Sequence, residues 1–253
     1  MADTPELKRF LHEAQELLPA AIALRRRIHT KPELGLNLPL TTEAVLEGLR
    51  DLDVGINRGP STSGLIVSLS GTKPGSQSGR TILLRGDMDA LPMPEETGLE
   101  FASEFAGRMH ACGHDAHTAM LVQAVHLLHR HRDELAGTVK FMFQPGEEGH
   151  AGARRMIEDG LLDADPKPDA AFALHIFPIS RPARSSAGRA RCFAAENRET
   201  AGRIGEVGLD HQAFCRRTRR VQLVVSMFNM TKLPVMTDGR ADHCPFGPRT
   251  KNC

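Results

Sequence analysis

Five side chains that can bind a metal or move a proton fall within eight residues: His110, Cys112, His114, Asp115 and His117. A thiolate, imidazoles and a carboxylate together suit a borderline transition metal such as zinc. Gly113 frees the backbone to turn, so that Cys112 and His114 could aim at one point. Taken alone, a free Cys is more often a small buried residue, and the histidines would be helix surface. Other residues shift the weight toward a metal. Glu147 and Glu148 are adjacent carboxylates between Gly146 and Gly149. Such a pair repels itself and is tolerated in solvent or beside a cation. In a metal site one carboxylate can ligate while the other takes a proton from water. The dipeptide by itself is equally an acidic turn, and Asp87-Met88-Asp89 carries the same ambiguity. His175 closes an apolar stretch, where a lone His is more often a satisfied core residue.

These groups need elements to position them. Residues 6–28 predict an amphipathic helix, with Leu7, Phe10, Leu11, Ala14, Leu17, Leu18 and Ala21 at spacings of three and four. Lys31-Pro32-Glu33-Leu34-Gly35 ends it as a loop. Thr41 or Thr42 is expected to cap a second helix carrying Val45, Leu46 and Leu49. Strands are predicted at 64–69, 81–84, 138–143 and 169–176, and helices at 115–131 and 151–159. Residues 73–79 read as a polar turn and 90–111 as a long loop. His126, His129 and His131 share one helix and are expected to face solvent.

From residue 81 the order is strand, helix, strand, helix, strand. That predicts an α/β fold, a mostly parallel sheet flanked by helices. Functional groups in such sheets gather beyond the carboxyl ends of the strands. Asp87 and Asp89, then Glu147 and Glu148, then His175 would meet at one edge.

Composition divides the chain near Pro178. Residues 1–178 hold 18 Lys+Arg and 25 Asp+Glu, a balance of −7; residues 179–253 hold 14 and 6, a balance of +8; together they make the net +1 of the chain. Cys192, Cys215, Cys244 and Cys253 also lie in the second part, without metal-ligand spacing. Only 221–227 looks like a strand there. The near-neutral charge gives no general pointer to nucleic acid. The Arg-rich tail lacks the interleaved aromatics of a single-strand binder, the chain having no Trp or Tyr. No apolar run is long enough for a membrane span and no signal-peptide core is present, so a cytoplasmic location is expected.

Four segments occur in a telling order: Gly86-Asp87-Met88-Asp89-Ala90-Leu91-Pro92, Met109-His110-Ala111-Cys112-Gly113-His114-Asp115, Gln144-Pro145-Gly146-Glu147-Glu148-Gly149 and Leu174-His175. With Arg27-Ile28-His29 and the Lys31–Gly35 loop, the chain from about residue 17 to 178 resembles the hippurate hydrolase and N-acyl-amino-acid amidohydrolase family. That family includes plant auxin-conjugate hydrolases and belongs to the two-metal superfamily of aminoacylase and carboxypeptidase G. The resemblance implies that Cys112, His114, Glu148 and His175 are metal ligands, that Glu147 is the general base, and that Asp89 orients a ligand. It implies two divalent ions, of zinc, manganese, cobalt or nickel, and hydrolysis of a small N-acyl amino acid. Residues 1–178 would be an incomplete two-metal exopeptidase-like catalytic domain.

The family's lid, through which it forms homodimers, is not recognisable in the sequence, nor is its last metal-ligating His. His243 lacks the matching context. Residues 179–253 are therefore expected to be an aberrant Arg/Cys-rich tail, frameshifted or mis-spliced and poorly ordered; a genuine replacement domain is the alternative. Little or no amidase activity is expected of the chain on this reading. The rival reading is a non-catalytic metal-binding or interaction protein that keeps the front half of the fold.

Overall fold

A computed structural model of the chain describes residues 5–176. The expected boundary at Pro178, the tail 179–253, the strand at 221–227 and His243 lie outside the described residues. Helix α1 spans Pro5–His29, α2 Pro39–Leu49, α3 His114–Arg130 and α4 Gly152–Glu158. The strands are β1 Gly55–Arg58, β2 Leu65–Ser70, β3 Arg80–Asp87, β4 Gly137–Gln144 and β5 Ala170–Ala173.

The strands form one mixed sheet in the order β1-β2-β4-β3-β5. Strands β3, β4 and β5 are parallel, as the alternation with helices requires. The other two run antiparallel: β1 pairs with β2, and β2 with β4. The sequence reading missed β1 because all four of its residues are exposed and show no apolar alternation. It holds an edge position, where burial imposes no pattern.

Both faces of the central strands are covered. Leu65, Val67, Leu69, Phe141 and Phe143 pack with Val45, Leu49, Val122 and Val125 under α2 and α3. Ile66, Leu83 and Met142 face the other way, onto Met156, Ile157, Leu161 and Leu162. Two-sided burial explains the near-continuous apolar runs of β2 and β4.

Helix α2 is not capped by Thr41 or Thr42. Pro39 opens it, and the buried Glu33 carboxylate accepts hydrogen bonds from the backbone N–H of Leu40 and Thr41 at 3.1 and 2.8 Å. It also accepts from the Thr41 hydroxyl at 2.9 Å. A carboxylate from the preceding loop thus satisfies the helix N-terminus that a local hydroxyl was expected to serve.

The histidines expected on the solvent face of α3 are instead partly covered, because α1 and α2 lie over that helix. His126 Nε2 donates to the Gly48 carbonyl at 2.7 Å. His129 is half-buried. His131 lies between Glu13 of α1 at 2.6 Å and Glu134 at 3.0 Å, with the Phe10 ring edge-on at 4.9 Å. The Glu13 hydrogen bond raises its pKa, against some desolvation and the nearby Arg9 charge, with Glu134 adding to the rise. A raised folded-state pKa means a stabilising contribution complete below about pH 6.5, the ordinary imidazole value, and lost as pH rises through the folded value. Denaturant unfolding of wild type and His131→Gln should therefore differ most at mildly acidic pH and converge as pH rises. A difference that grows with pH would contradict this reading.

Candidate metal centre

Register brings the chemistry to one edge. Asp87 at the end of β3 lies opposite Gln144 at the end of β4, and Arg85 lies opposite Ala173 at the end of β5. Each strand then leads straight into a site segment: Met88-Asp89, Pro145–Glu148, and Leu174–His175. His175 does not close its strand as expected but stands two residues beyond β5. Helix α3 delivers His114 as its first residue. Gly113, at φ +84°, turns the chain between Cys112 and His114.

His114 is fully buried and sits at the centre. Its Nδ1 lies 2.8 Å from the Asp89 carbonyl oxygen. A carbonyl can only accept, so Nδ1 carries the hydrogen. Nε2 then faces Asp87 Oδ1 at 3.6 Å and both Glu147 Oε2 and Glu148 Oε1 at 3.9 Å. It is buried with no hydrogen-bond partner. Cys112 Sγ lies 3.3 Å from His175 Nε2. Among the described residues, three donor groups have their ligand atoms within 4.8 Å of one another: Cys112–His114–His175, His114–Glu147–Glu148 and Asp87–His114–His117. His114 belongs to all three.

The electrostatics describe a place built for positive charge. Burial opposes a charged His114, yet Asp87 and Asp89 raise its pKa to about 12. Burial pushes the Glu147 carboxyl up to about 7, and the charges of Asp87 and Glu148 add to that rise. Burial also raises Glu148 and the Cys112 thiol. His175 falls to about 4, through burial and then His117. An orphaned buried nitrogen ringed by sulfur, nitrogen and carboxylate donors fits a divalent transition metal, and the mixed set does not select one element.

Asp89 does more than stand near His114. Its two carboxylate oxygens accept the backbone N–H groups of Glu147 and Glu148 at 3.0 and 2.9 Å. It is 1% exposed. It thereby holds the turn that presents both glutamates. Asp89→Asn should cost about 1–3 kcal/mol, because the amide NH2 must face one of those N–H donors. It should also weaken metal binding about 10–100-fold. Chemical denaturation and metal titration read the two effects, and unchanged values would sink this role.

The sequence reading singled out Asp115, His110, His117 and Asp87 without giving them roles. Asp115 points away from the centre, onto His29 Nδ1 at 2.8 Å and Arg25 Nε at 2.9 Å. It pins the start of α3 to the end of α1. His110 packs against the His29 ring at 6.1 Å, outside all three donor groups. Asp87 and His117 pair at 2.6 Å. The signal that could have found His117 is its three-residue offset from His114 on one helix face.

Residues 83–213 match peptidase family M20/M25/M40. The matched segment continues past Pro178. The chain is 41% identical over 172 residues to thermostable carboxypeptidase 1 of Saccharolobus solfataricus, covering 67% of this chain and 42% of that protein. It is 36% identical over 209 residues to N-acetyl-L-cysteine deacetylase of Bacillus subtilis, covering 81% and 49%. The chain thus spans under half the length of these relatives. Among solved structures, the YXEP protein of Bacillus subtilis, described as a dinuclear metal-binding M20 peptidase, matches with a TM-score of 0.57 at 36% identity. That likeness covers 71% of this chain and 49% of the other. No described helix is long and apolar enough to cross a membrane.

Proposed function

The chain belongs to peptidase family M20/M25/M40, and on that premise we propose a metal-dependent amidohydrolase that cleaves the amide of N-acyl amino acids. One observation carries the reading. Glu147, raised to about 7, stands beside the cluster of metal-type donors with its Oε2 3.9 Å from His114 Nε2. A carboxylate that titrates near neutrality can both take and return a proton during turnover.

Cys112, His114, Glu148 and His175 would hold the metal, as the family resemblance implies. Two divalent cations, when bound, would supply Lewis acidity toward the amide carbonyl and acidify a water. Glu147 Oε2 takes the proton from the attacking water and returns it to the leaving amine nitrogen. Asp89 keeps Glu147 and Glu148 on one rigid turn, so that base and ligand stay in register. The name of the deacetylase relative supports an amino acid whose nitrogen carries a short acyl group.

The test is hydrolysis of hippurate and N-acetyl amino acids by the purified 253-residue chain loaded with zinc, manganese, cobalt or nickel. Product formation above the metal-stripped control is expected. Turnover should be slow, because the lid and the last metal-ligating His that the resemblance implies are not recognisable in the sequence. Full metal occupancy without metal-dependent hydrolysis would instead leave a non-catalytic metal-binding protein.

A further inference from the structure

We propose that His117 is a positioning residue that sets His175 in place by accepting a hydrogen bond from the backbone N–H beside that ligand, with Asp87 fixing the His117 tautomer. The inference rests on the metal-centre reading and adds two residues to it.

His175 is the candidate ligand with the least support from regular structure. Strand β5 ends at Ala173, so the chain that carries His175 has left the β3–β5 ladder. His117 supplies an anchor. Its Nε2 lies 3.0 Å from the Ile176 backbone nitrogen. That N–H can only donate, so Nε2 accepts and the hydrogen of the ring sits on Nδ1. Nδ1 in turn donates to Asp87 Oδ1 at 2.6 Å. The other Asp87 oxygen accepts from Arg85 Nη1 at 2.6 Å. Arg85 Nε donates to Gln144 at 2.7 Å. The chain of bonds therefore runs from the ends of β3 and β4 to the main chain next to His175.

Its far end fixes the ligand ring. His175 Nδ1 donates to the Ile176 carbonyl at 2.7 Å, which leaves Nε2 as the nitrogen that faces Cys112 Sγ at 3.3 Å. The His117 ring also meets the His175 ring edge-on at 4.7 Å. From the other side, the Ile176 side chain lies over Gly113, where an added Cβ would come within 2.4 Å of Ile176 Cδ1. The segment carrying His175 is thus held against both the Cys112–His114 turn and His117.

The same geometry argues against His117 as a ligand. Both ring nitrogens are engaged, and the side chain is fully buried. The Asp87–His114–His117 grouping is close in space, but two of its members already serve each other. Partners of this outer kind orient metal ligands, and their loss typically costs about 10–100-fold in metal affinity.

Two substitutions in the 253-residue chain separate the bonds. His117→Gln can place its amide oxygen where Nε2 was, keeping the acceptor for Ile176. His117→Asn can keep the donor to Asp87 but leaves the Ile176 N–H unpaired. Each is titrated with cobalt(II), reading affinity by chelator competition and ligation by the thiolate charge-transfer and d–d bands. His117→Gln should bind within about threefold of wild type. His117→Asn should lose about 10–100-fold and show altered d–d bands. If the Asn variant does not fold, His117→Leu, which fills the volume without an acceptor, is read in its place with the same expectation. Wild-type affinity and spectrum in the variant lacking the acceptor would overturn the inference, as would equal losses in that variant and His117→Gln. Failure of the wild-type chain to bind cobalt would sink the metal-centre reading itself, and this inference with it.

Discussion

Replacing His114 with Ala should abolish metal binding, with an affinity loss larger than the 10–100-fold typical of outer-shell changes. His114 is the shared member of all three donor groups. Its Nε2 is a buried nitrogen with no hydrogen-bond partner, and it faces the carboxylates of Asp87, Glu147 and Glu148. No neighbour can substitute for it: His117 is spent on Asp87 and Ile176, and His110 lies outside the groups. A second effect should follow in the metal-free protein. His114 is the imidazole that faces Asp87, Glu147 and Glu148. Removing one partner of a buried charge pair typically costs about 3–5 kcal/mol. Arg85 still neutralises Asp87 in part, so the low end is expected. Metal analysis after desalting and denaturant unfolding of the metal-free chain measure the two effects. A His114→Ala protein that still carries stoichiometric metal would show that the centre has been misplaced.

Glu147→Gln should lower metal-dependent turnover about 10²–10⁴-fold while leaving metal affinity within about threefold. The substitution keeps shape and removes the ability to accept a proton. Glu148→Gln should do the reverse and weaken metal binding first. The pair is a demanding test because the geometry alone is nearly symmetric: each glutamate places an oxygen 3.9 Å from His114 Nε2. What separates them is environment. Glu147 is pushed to about 7 by burial, Asp87 and Glu148, whereas burial raises Glu148 against the opposing pull of His114 and the nearby Cys112 thiol. Steady-state kinetics with calorimetric metal titration decide the matter. Loss of metal in Glu147→Gln would exchange the two roles.

The strands β3 and β4 and the helices α1 and α3 were legible because period and length are local properties. The edge strand β1 was not, since an exposed strand carries no apolar alternation. The cap of α2 was misread because its acceptor, Glu33, lies outside the helix and reaches Thr41 eight residues on. The histidines of α3 were misread for a related reason. Their sequence pattern marks a polar face, but only packing shows that α1 and α2 cover it.

By itself the sequence determined which side chains could do chemistry and the local turns that carry them. Cys112-Gly113-His114, Glu147-Glu148 and Asp87-Met88-Asp89 are short motifs, and short motifs encode residue type and local backbone freedom. Only the tertiary structure decided how these motifs meet. Strand β3 lies between β4 and β5, which sets three strand ends side by side. Asp89 then reaches Glu147 and Glu148 across separations of 58 and 59 residues. His117 reaches Ile176 across 59. Such bonds follow from strand order and register, which depend on how whole faces bury against each other, and no local period records that.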